Sequence, residues 1–451
     1  MVYPQPRTCI ALLSAALVAL IAGASRPSAI GQFSPTQRDV ARRARFTHVS
    51  TVDPEVSNGL APTPVATEAP AAFDNLTNGF DPQGPPFDTL DDTNVIALRS
   101  FNENRFIFEE VERAEEGLGP TYNAQSCREC HQNIVTGGAS QVTVQRAGHL
   151  SNGDFFDSQG GSLIHSRATD PGAMELLSAK DPIRSFRISP NTLGDGFIEA
   201  IANDTLMKIS SNQPFFMRGL PVQVAVLEAQ SHTRIGRFGW KGQHASLESF
   251  AADAYLNEMG ITTPTLPTEN TSAGNDVSQF DAVPDPEDDG EDVKAFANFM
   301  RATKAPPRGA ITQAVTAGEQ IFNRIGCNTC HVASITTAPA GTIINGGAMT
   351  VPAALGNKII HPYSDFLLHD LGTGDGIPIQ PTDEYANTAN QIKTAPLWGL
   401  RTRNRLMHDG TSFTRDEAIL RHGNQAVISR RQFQGLNSVE RAALMAFLNS
   451  L

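Results

Sequence analysis

The chain carries the pattern C-x-x-C-H twice, as Cys127-Arg-Glu-Cys130-His131 and as Cys327-Asn-Thr-Cys330-His331. These motifs use four of its five cysteines, and the fifth, Cys9, lies beside a leading apolar run. With 5 Cys and 11 His in 451 residues, composition gives on the order of 0.001 such motifs by chance, so two are no accident. In this pattern two thiols stand about one helical turn apart, within reach of both vinyl groups of one haem. The residue that follows carries an imidazole beneath the iron. A four-cysteine zinc site is the main rival, but its knuckles usually lie some tens of residues apart, and these pairs are 200 apart. Two disulfides are the other rival in an oxidising compartment. Neither explains a His after both pairs. The motifs predict two covalent c-type haems, held by Cys127 and Cys130 and by Cys327 and Cys330, with His131 and His331 as iron ligands.

The N-terminus sets the compartment. A single charge, Arg7, precedes the uncharged apolar run Ile10–Ala24. That run is shorter than the ~20 residues a helix needs to span a bilayer, so it reads as a secretory signal, with an uncleaved anchor as the rival. Ala22-Gly23-Ala24 offers the small residues of a cleavage site, and Cys9 falls inside the signal, which argues against a lipoprotein. The expected location is periplasmic. Lys+Arg 35 against Asp+Glu 47 gives a net charge of -12, which repels phosphate backbones and argues against a nucleic-acid partner. No second long apolar run exists, so no membrane contact is expected beyond the signal.

The organisation follows as a signal peptide (1–24), a flexible Ala/Pro/Thr-rich leader (25–74), an N-terminal haem domain (75–261), an acidic linker (262–292) and a C-terminal cytochrome c domain (293–451). The linker's PDPEDDGED run lacks EF-hand ligand spacing, and Ca2+ stays open there as a further cofactor. Helices are expected at Val293–Thr303 and Ala317–Ile325. Thr414-Arg-Asp-Glu417 and Asn437-Ser-Val-Glu440 read as capping boxes, the second followed by Leu444, Phe447, Leu448 and Leu451 on one helical face. The expected fold class is mainly α: two cytochrome c-like domains, one covalent haem each, with long irregular loops.

The segments IFNRIGCNTCH (321–331), TAPLWGLR (394–401), LMHDG (406–410) and TRDEAILRHG (414–423) resemble the C-terminal domain of bacterial di-haem cytochrome c peroxidases and MauG-type enzymes. TYNAQSCRECHQN, RIGRFGWKGQHASL, HPYSDFLLHDLG and the final RHGNQA are similar, more narrowly, to the di-haem oxidoreductases once called thiol oxidoreductases. The narrower resemblance spans roughly Asn75 to Leu451. It implies that the C-terminal haem stores electrons and takes its sixth ligand from the helix after the HDG turn. That ligand is usually Met; the matching position here is His422, and Met407 competes, its alternative role being core packing. A bis-His iron has a lower potential than a His/Met iron.

The resemblance also implies two catalytic residues near the N-terminal haem. Gly239-Trp240-Lys-Gly242 is similar to a peroxidase stretch whose Trp relays electrons between the haems, and Trp240 read alone is equally a buried aromatic anchor. Leu256-Asn-Glu258-Met-Gly260 is similar to a segment whose Glu moves a proton between the oxygens of peroxide. Here the Trp-to-Glu spacing is two residues shorter, and Phe250 stands where the peroxidases have Gln. Read alone, Glu258 is an exposed helix residue. His149, His165 and His244 are alternatives for the distal face of the N-terminal haem, which is otherwise open; His361 and His369 are expected to orient a propionate or a turn.

The expected function is an exported di-haem c-type oxidoreductase that reduces hydrogen peroxide at the N-terminal haem with electrons relayed through the C-terminal haem. A small redox protein, a cytochrome c or a cupredoxin, is the expected donor. The rivals are a di-haem oxygenase or protein-modifying oxidase of MauG or rubber-oxygenase type, and a non-enzymatic di-haem electron carrier.

Overall fold

The structure is a computed structural model that describes residues 53–56, 65–74, 76–80, 100–379 and 383–451. The signal expected at 1–24 lies outside the described residues. The described residues hold ten α-helices: α1 (Phe101–Glu109), α2 (Cys127–Cys130), α3 (Asp195–Glu199), α4 (Asn203–Asn212), α5 (Leu247–Ala254), α6 (Glu291–Ala302), α7 (Gln313–Arg324), α8 (Arg415–Leu420), α9 (Val427–Gln434) and α10 (Ser438–Leu448). Both expected capping boxes form: the Thr414 and Asn437 side chains accept from the backbone of Glu417 and Glu440, whose carboxylates answer. α6 and α7 cover the two helices expected at 293–303 and 317–325.

The strands were not expected in this number. The largest sheet joins β1 (Thr143–Ser151) to β2 (Asp154–Asp157), β3 (Leu163–Ile164) and β4 (Ile183–Ile188), all antiparallel to β1. A ladder between β5 (Leu368–Asp370) and β6 (Gln391–Lys393) borders the second motif. Most strands are two or three residues long, too short to show alternation in a sequence.

Two cores form around the two motifs. In the first, Phe101, Phe108, Phe197, Leu247, Tyr255, Phe296 and Phe299 bring α1, α3, α5 and α6 together. In the second, Phe322, Phe433, Leu444, Phe447 and Leu448 pack α7 against α10 and α9. Gly318 makes the α7–α10 contact: a Cβ there would lie 2.0 Å from the Ala443 carbonyl oxygen. The halves do not part at 262–292. α6, placed in the C-terminal domain by sequence, packs in the first core, and so do Ile335, Ile360, Phe366 and Trp398 from farther on.

The acidic stretch is not a bare solvated linker. Thr262, Thr263 and Asn270 are buried in it, the Thr262 backbone N–H donating to Glu287 and the Asn270 amide to the Leu256 carbonyl. Polar side chains with hydrogen-bond partners can be buried without the apolar pattern that marks a core. The leader departs from expectation in the same way. Thr67–Glu68 pairs in parallel with Lys358–Ile359, and Glu55 pairs with Arg234.

Candidate functional site

Each C-x-x-C-H motif opens onto its own cavity. In the first, Ser126 caps α2 by accepting from the Glu129 N–H, which winds Cys127 and Cys130 into one turn. Both cysteines and His131 then line a cavity of about 620 Å³, part of it open to solvent, with Phe108, Phe296 and Met300 as apolar walls. The second cavity, about 1310 Å³ measured likewise, is lined by Cys327, Cys330 and His331 with Phe322, Leu444 and Leu448. None of these four cysteines is in a disulfide. Burial raises all four thiols well above the ordinary value, so they are neutral.

The two proximal imidazoles are set alike. His131 Nδ1 lies 3.3 Å from the Gly138 carbonyl and His331 Nδ1 lies 2.9 Å from the Tyr363 carbonyl. A carbonyl only accepts, so each Nδ1 carries the proton and Nε2 keeps its lone pair for a metal. Burial pushes both rings down to about 4, which keeps them neutral at pH 7. Two unbridged thiols and a tautomer-fixed His on one apolar cavity fit a covalently held haem, once in each half.

The open faces differ. In the second cavity His422 stands opposite His331, their ring centroids 6.4 Å apart. His422 Nδ1 donates to the Ala418 carbonyl at 2.8 Å, so its Nε2 is also left for the cavity. The spacing suits two imidazoles sharing one metal, with bonds of about 2 Å each. Met407 lines the same cavity with a positive φ of 66°, and His408 lies beside it, buried.

In the first cavity no second His among the described residues lines the wall. His149 is 2.8 Å from Asp181 on β1, His165 lies between Glu175 and the Asn257 carbonyl, and His244 pairs with Asp253 behind Phe250. These three expected distal candidates are thus held elsewhere. Each sits near the motif in sequence order only, and a carboxylate partner is not visible in a linear pattern.

Glu258 does line the first cavity, with Phe250. It sits on a wide i→i+5 turn, Tyr255–Met259, that continues α5 and ends at Gly260, whose φ is 77°. Such turns widen a helix and re-aim its side chains. The segment leading to Cys127 docks on this turn: the Asn123 and Ala124 N–H groups both donate to the Glu258 carbonyl, and Gly119 donates to Met259. A Cβ on Gly260 would meet Gly119 at 2.8 Å. The Asn123 amide donates to Glu258 Oε2 at 3.0 Å. Burial raises the Glu258 carboxyl to about 7, although the residue is only half-buried over its surface, because the area it exposes faces the cavity. The exposed helix Glu of the bare sequence is thus a cavity carboxyl. Asn123 was missed as its partner, because 135 residues separate the two.

Trp240 is buried on the wall of the second cavity, edge-on to His408 at 6.2 Å. Lys241 beside it donates to three carbonyls, of Thr388, Ala389 and Gln391, and pairs with Asp375, which also holds Arg187. His369 lines the second cavity and bonds Asp365, whereas His361 bonds Ser334 and Glu68 at the surface. Of the acidic run, Asp285 and Glu287 meet Glu269 with carboxylate oxygens within 4.8 Å.

Two Cys-x-x-Cys-His cavities in one chain define a di-haem redox protein. Residues 163–451 match the family described as "Di-haem oxidoreductase, putative peroxidase", and the chain belongs to that family. A comparison with curated proteins finds no match. Among solved structures, hydrazine synthase of Kuenenia stuttgartiensis is 16% identical, with 90% of this chain and 100% of that chain covered at a TM-score of 0.35. A MauG-like protein associated with microbial copper homeostasis is 14% identical (88% and 95% covered, TM-score 0.36). The diheme peroxidase BthA from Burkholderia thailandensis is 13% identical (86% and 95% covered, TM-score 0.35). TM-scores this low carry neither fold nor activity from one chain to another.

Proposed function

We propose that this di-haem oxidoreductase reduces hydrogen peroxide at the N-terminal haem, held by Cys127, Cys130 and His131, with electrons relayed through the C-terminal haem. The reading includes export to the periplasm and a small redox protein as donor. The observation that carries it is the inequality of the cavities. One offers two facing imidazoles, His331 and His422; the other offers one imidazole and a carboxyl, Glu258.

Bound haem supplies the redox-active iron. The chain's residues set what each haem is free to do. His331 and His422 would both hold the haem of one site, which suits electron storage. In the other cavity the walls are largely apolar, and Glu258 is the group that moves a proton. The Asn123 amide holds Oε2 and so restrains the carboxyl on the cavity wall. A carboxyl raised to about 7 holds and releases a proton near neutral pH, as proton transfer between two peroxide oxygens requires. Trp240, on the wall of the second cavity, hydrogen-bonds the strand that runs into the first.

The test is steady-state turnover of hydrogen peroxide by the purified di-haem protein with a reduced cytochrome c or cupredoxin. Turnover that falls in Glu258→Gln supports the reading. No turnover with either donor, under conditions where both haems are reducible, sinks it.

A further inference from the structure

The second cavity has a charge its ligands do not explain. Four cations line it, Lys393, Arg403, Arg415 and Arg430, and no Asp or Glu among the described residues does. The chain as a whole has net charge -12. Arg415 and Arg430 each reach a backbone carbonyl, of Leu400 and Leu420. Lys393 and Arg403 are different. They are 6% and 8% exposed, and among the described residues no hydrogen-bond or ion-pair partner holds either head group, the Lys393 ammonium lying 5.6 Å from the centre of the Phe366 ring.

An unpaired buried cation is costly, and proteins retain one where a ligand supplies the counter-charge. Lys393 faces two carboxyls, Asp195 and Asp365, but neither takes the role. Asp365 is committed to His369 and Gln213. Asp195 is buried, forms no ion pair with Lys393, and is pushed well above the carboxylate range by that burial. Burial alone lowers Arg403 to about 10, and burial lowers Lys393 to about 8. Both line the same cavity, and the charge of Arg403 adds to the lowering of the Lys393 ammonium, so one bound anion would serve both. Among the described residues no Lys or Arg lines the first cavity.

We propose that Lys393 and Arg403 form a carboxylate clamp that holds a propionate of the C-terminal haem. This rests on the di-haem reading above and adds to it a role for two residues that carry no part of the peroxide chemistry. Lys393 is also tied to the relay: its backbone N–H donates to the Trp240 carbonyl at 2.8 Å. The residue that would hold the propionate is thus tied through its backbone to the residue that carries the indole.

A cation beside a propionate offsets its negative charge and favours the ferrous haem. The test is potentiometric titration of the holoprotein, following each haem by its own spectrum. In Lys393→Gln/Arg403→Gln, the ferric-to-ferrous ratio of the C-terminal haem at a fixed poise should rise about tenfold, a fall of about 59 mV. Lys393→Arg should stay at the parent value. A folded double variant with both haems attached and the C-terminal potential unmoved overturns the clamp, as does a fall confined to the N-terminal haem. Where the double variant does not fold, Arg403→Lys serves: it keeps the charge but loses the planar fork. It should shift the propionate bending mode in the resonance Raman spectrum, and an unshifted mode overturns the proposal. A shifted potential without peroxide turnover in the parent would sink the peroxidase reading and leave the clamp standing.

Discussion

Trp240 donates its indole N–H to the carbonyl of Ile188 at 2.7 Å, and this bond joins the walls of the two cavities. Ile188 ends β4, and its own N–H donates to His408 in the second cavity. The next residue, Ser189, lines the first cavity together with His131. The chain thus runs from the acceptor of the indole on one cavity to the wall of the other within two residues.

Trp240→Phe keeps an aromatic body and deletes the donor, leaving the Ile188 carbonyl unpaired. Stability to urea should fall by about 1–3 kcal/mol. Peroxide turnover with a protein donor should fall by about tenfold or more, ~1.4 kcal/mol of barrier, with both haem spectra unchanged. Parent-like turnover in that variant would remove Trp240 from the relay.

How much of this was visible in the sequence depends on whether the constraint is local. The C-x-x-C-H turns, the capping boxes at Thr414 and Asn437 and the helices α6 and α7 are each specified within about a dozen residues, and each is where the pattern put it. His422 is placed by one helical turn from Ala418, again a local relation. What was not legible is long-range. The partners of His149, His165 and His244 are carboxylates 9 to 32 residues away. The pairing of Thr67 with Lys358 and the burial of 262–292 rest on backbone and polar hydrogen bonds, which leave no periodic trace. Lys393 and Arg403 flank the segment 394–401 already singled out, yet that no carboxylate pairs with either among the described residues shows only in three dimensions.

The first core is centred on a buried ion pair. The Glu199 carboxylate accepts from Arg301 Nε and Nη2 at 2.7 and 3.0 Å, from the Leu247 N–H and from the Asn345 amide. Arg301→Met leaves that carboxylate buried without its cation and should cost about 3–5 kcal/mol in urea denaturation. The donors hold the Glu199 pKa below its ordinary value of 4.5 despite burial. A depressed carboxyl stabilises the fold above its unfolded pKa and loses that contribution as pH falls below it. The parent should therefore lose stability below about pH 4.5, and the variant should show a shallower loss. Equal acid sensitivity in both would assign the pH dependence elsewhere.

His422→Ala opens one face of the C-terminal site. The low-spin ferric signal assigned to that haem should be replaced by a high-spin one that responds to cyanide. His422→Met should raise its potential, since a thioether favours ferrous iron more than imidazole does. Met407→Leu should leave both signal and potential at the parent values. A low-spin signal retained in His422→Ala but lost in Met407→Leu would make Met407 the ligand.

Glu258 gives the sharpest dependence on pH. Burial raises its carboxyl to about 7, so the form able to accept a proton is populated as pH rises through that value. kcat/KM for peroxide should rise along a limb with its midpoint near pH 7. Glu258→Gln should lower kcat/KM by about 10²–10⁴-fold and flatten the limb. The stability effect runs the other way. A carboxyl with a raised folded-state pKa favours the fold at low pH and loses that advantage as pH climbs through about 7. Glu258→Gln should thus melt higher than the parent at pH 8 and not at pH 4. Asn123→Ala removes the donor that favours the charged carboxylate, so its activity limb should move to higher pH. A limb that stays in place in Glu258→Gln would assign the proton transfer to another group.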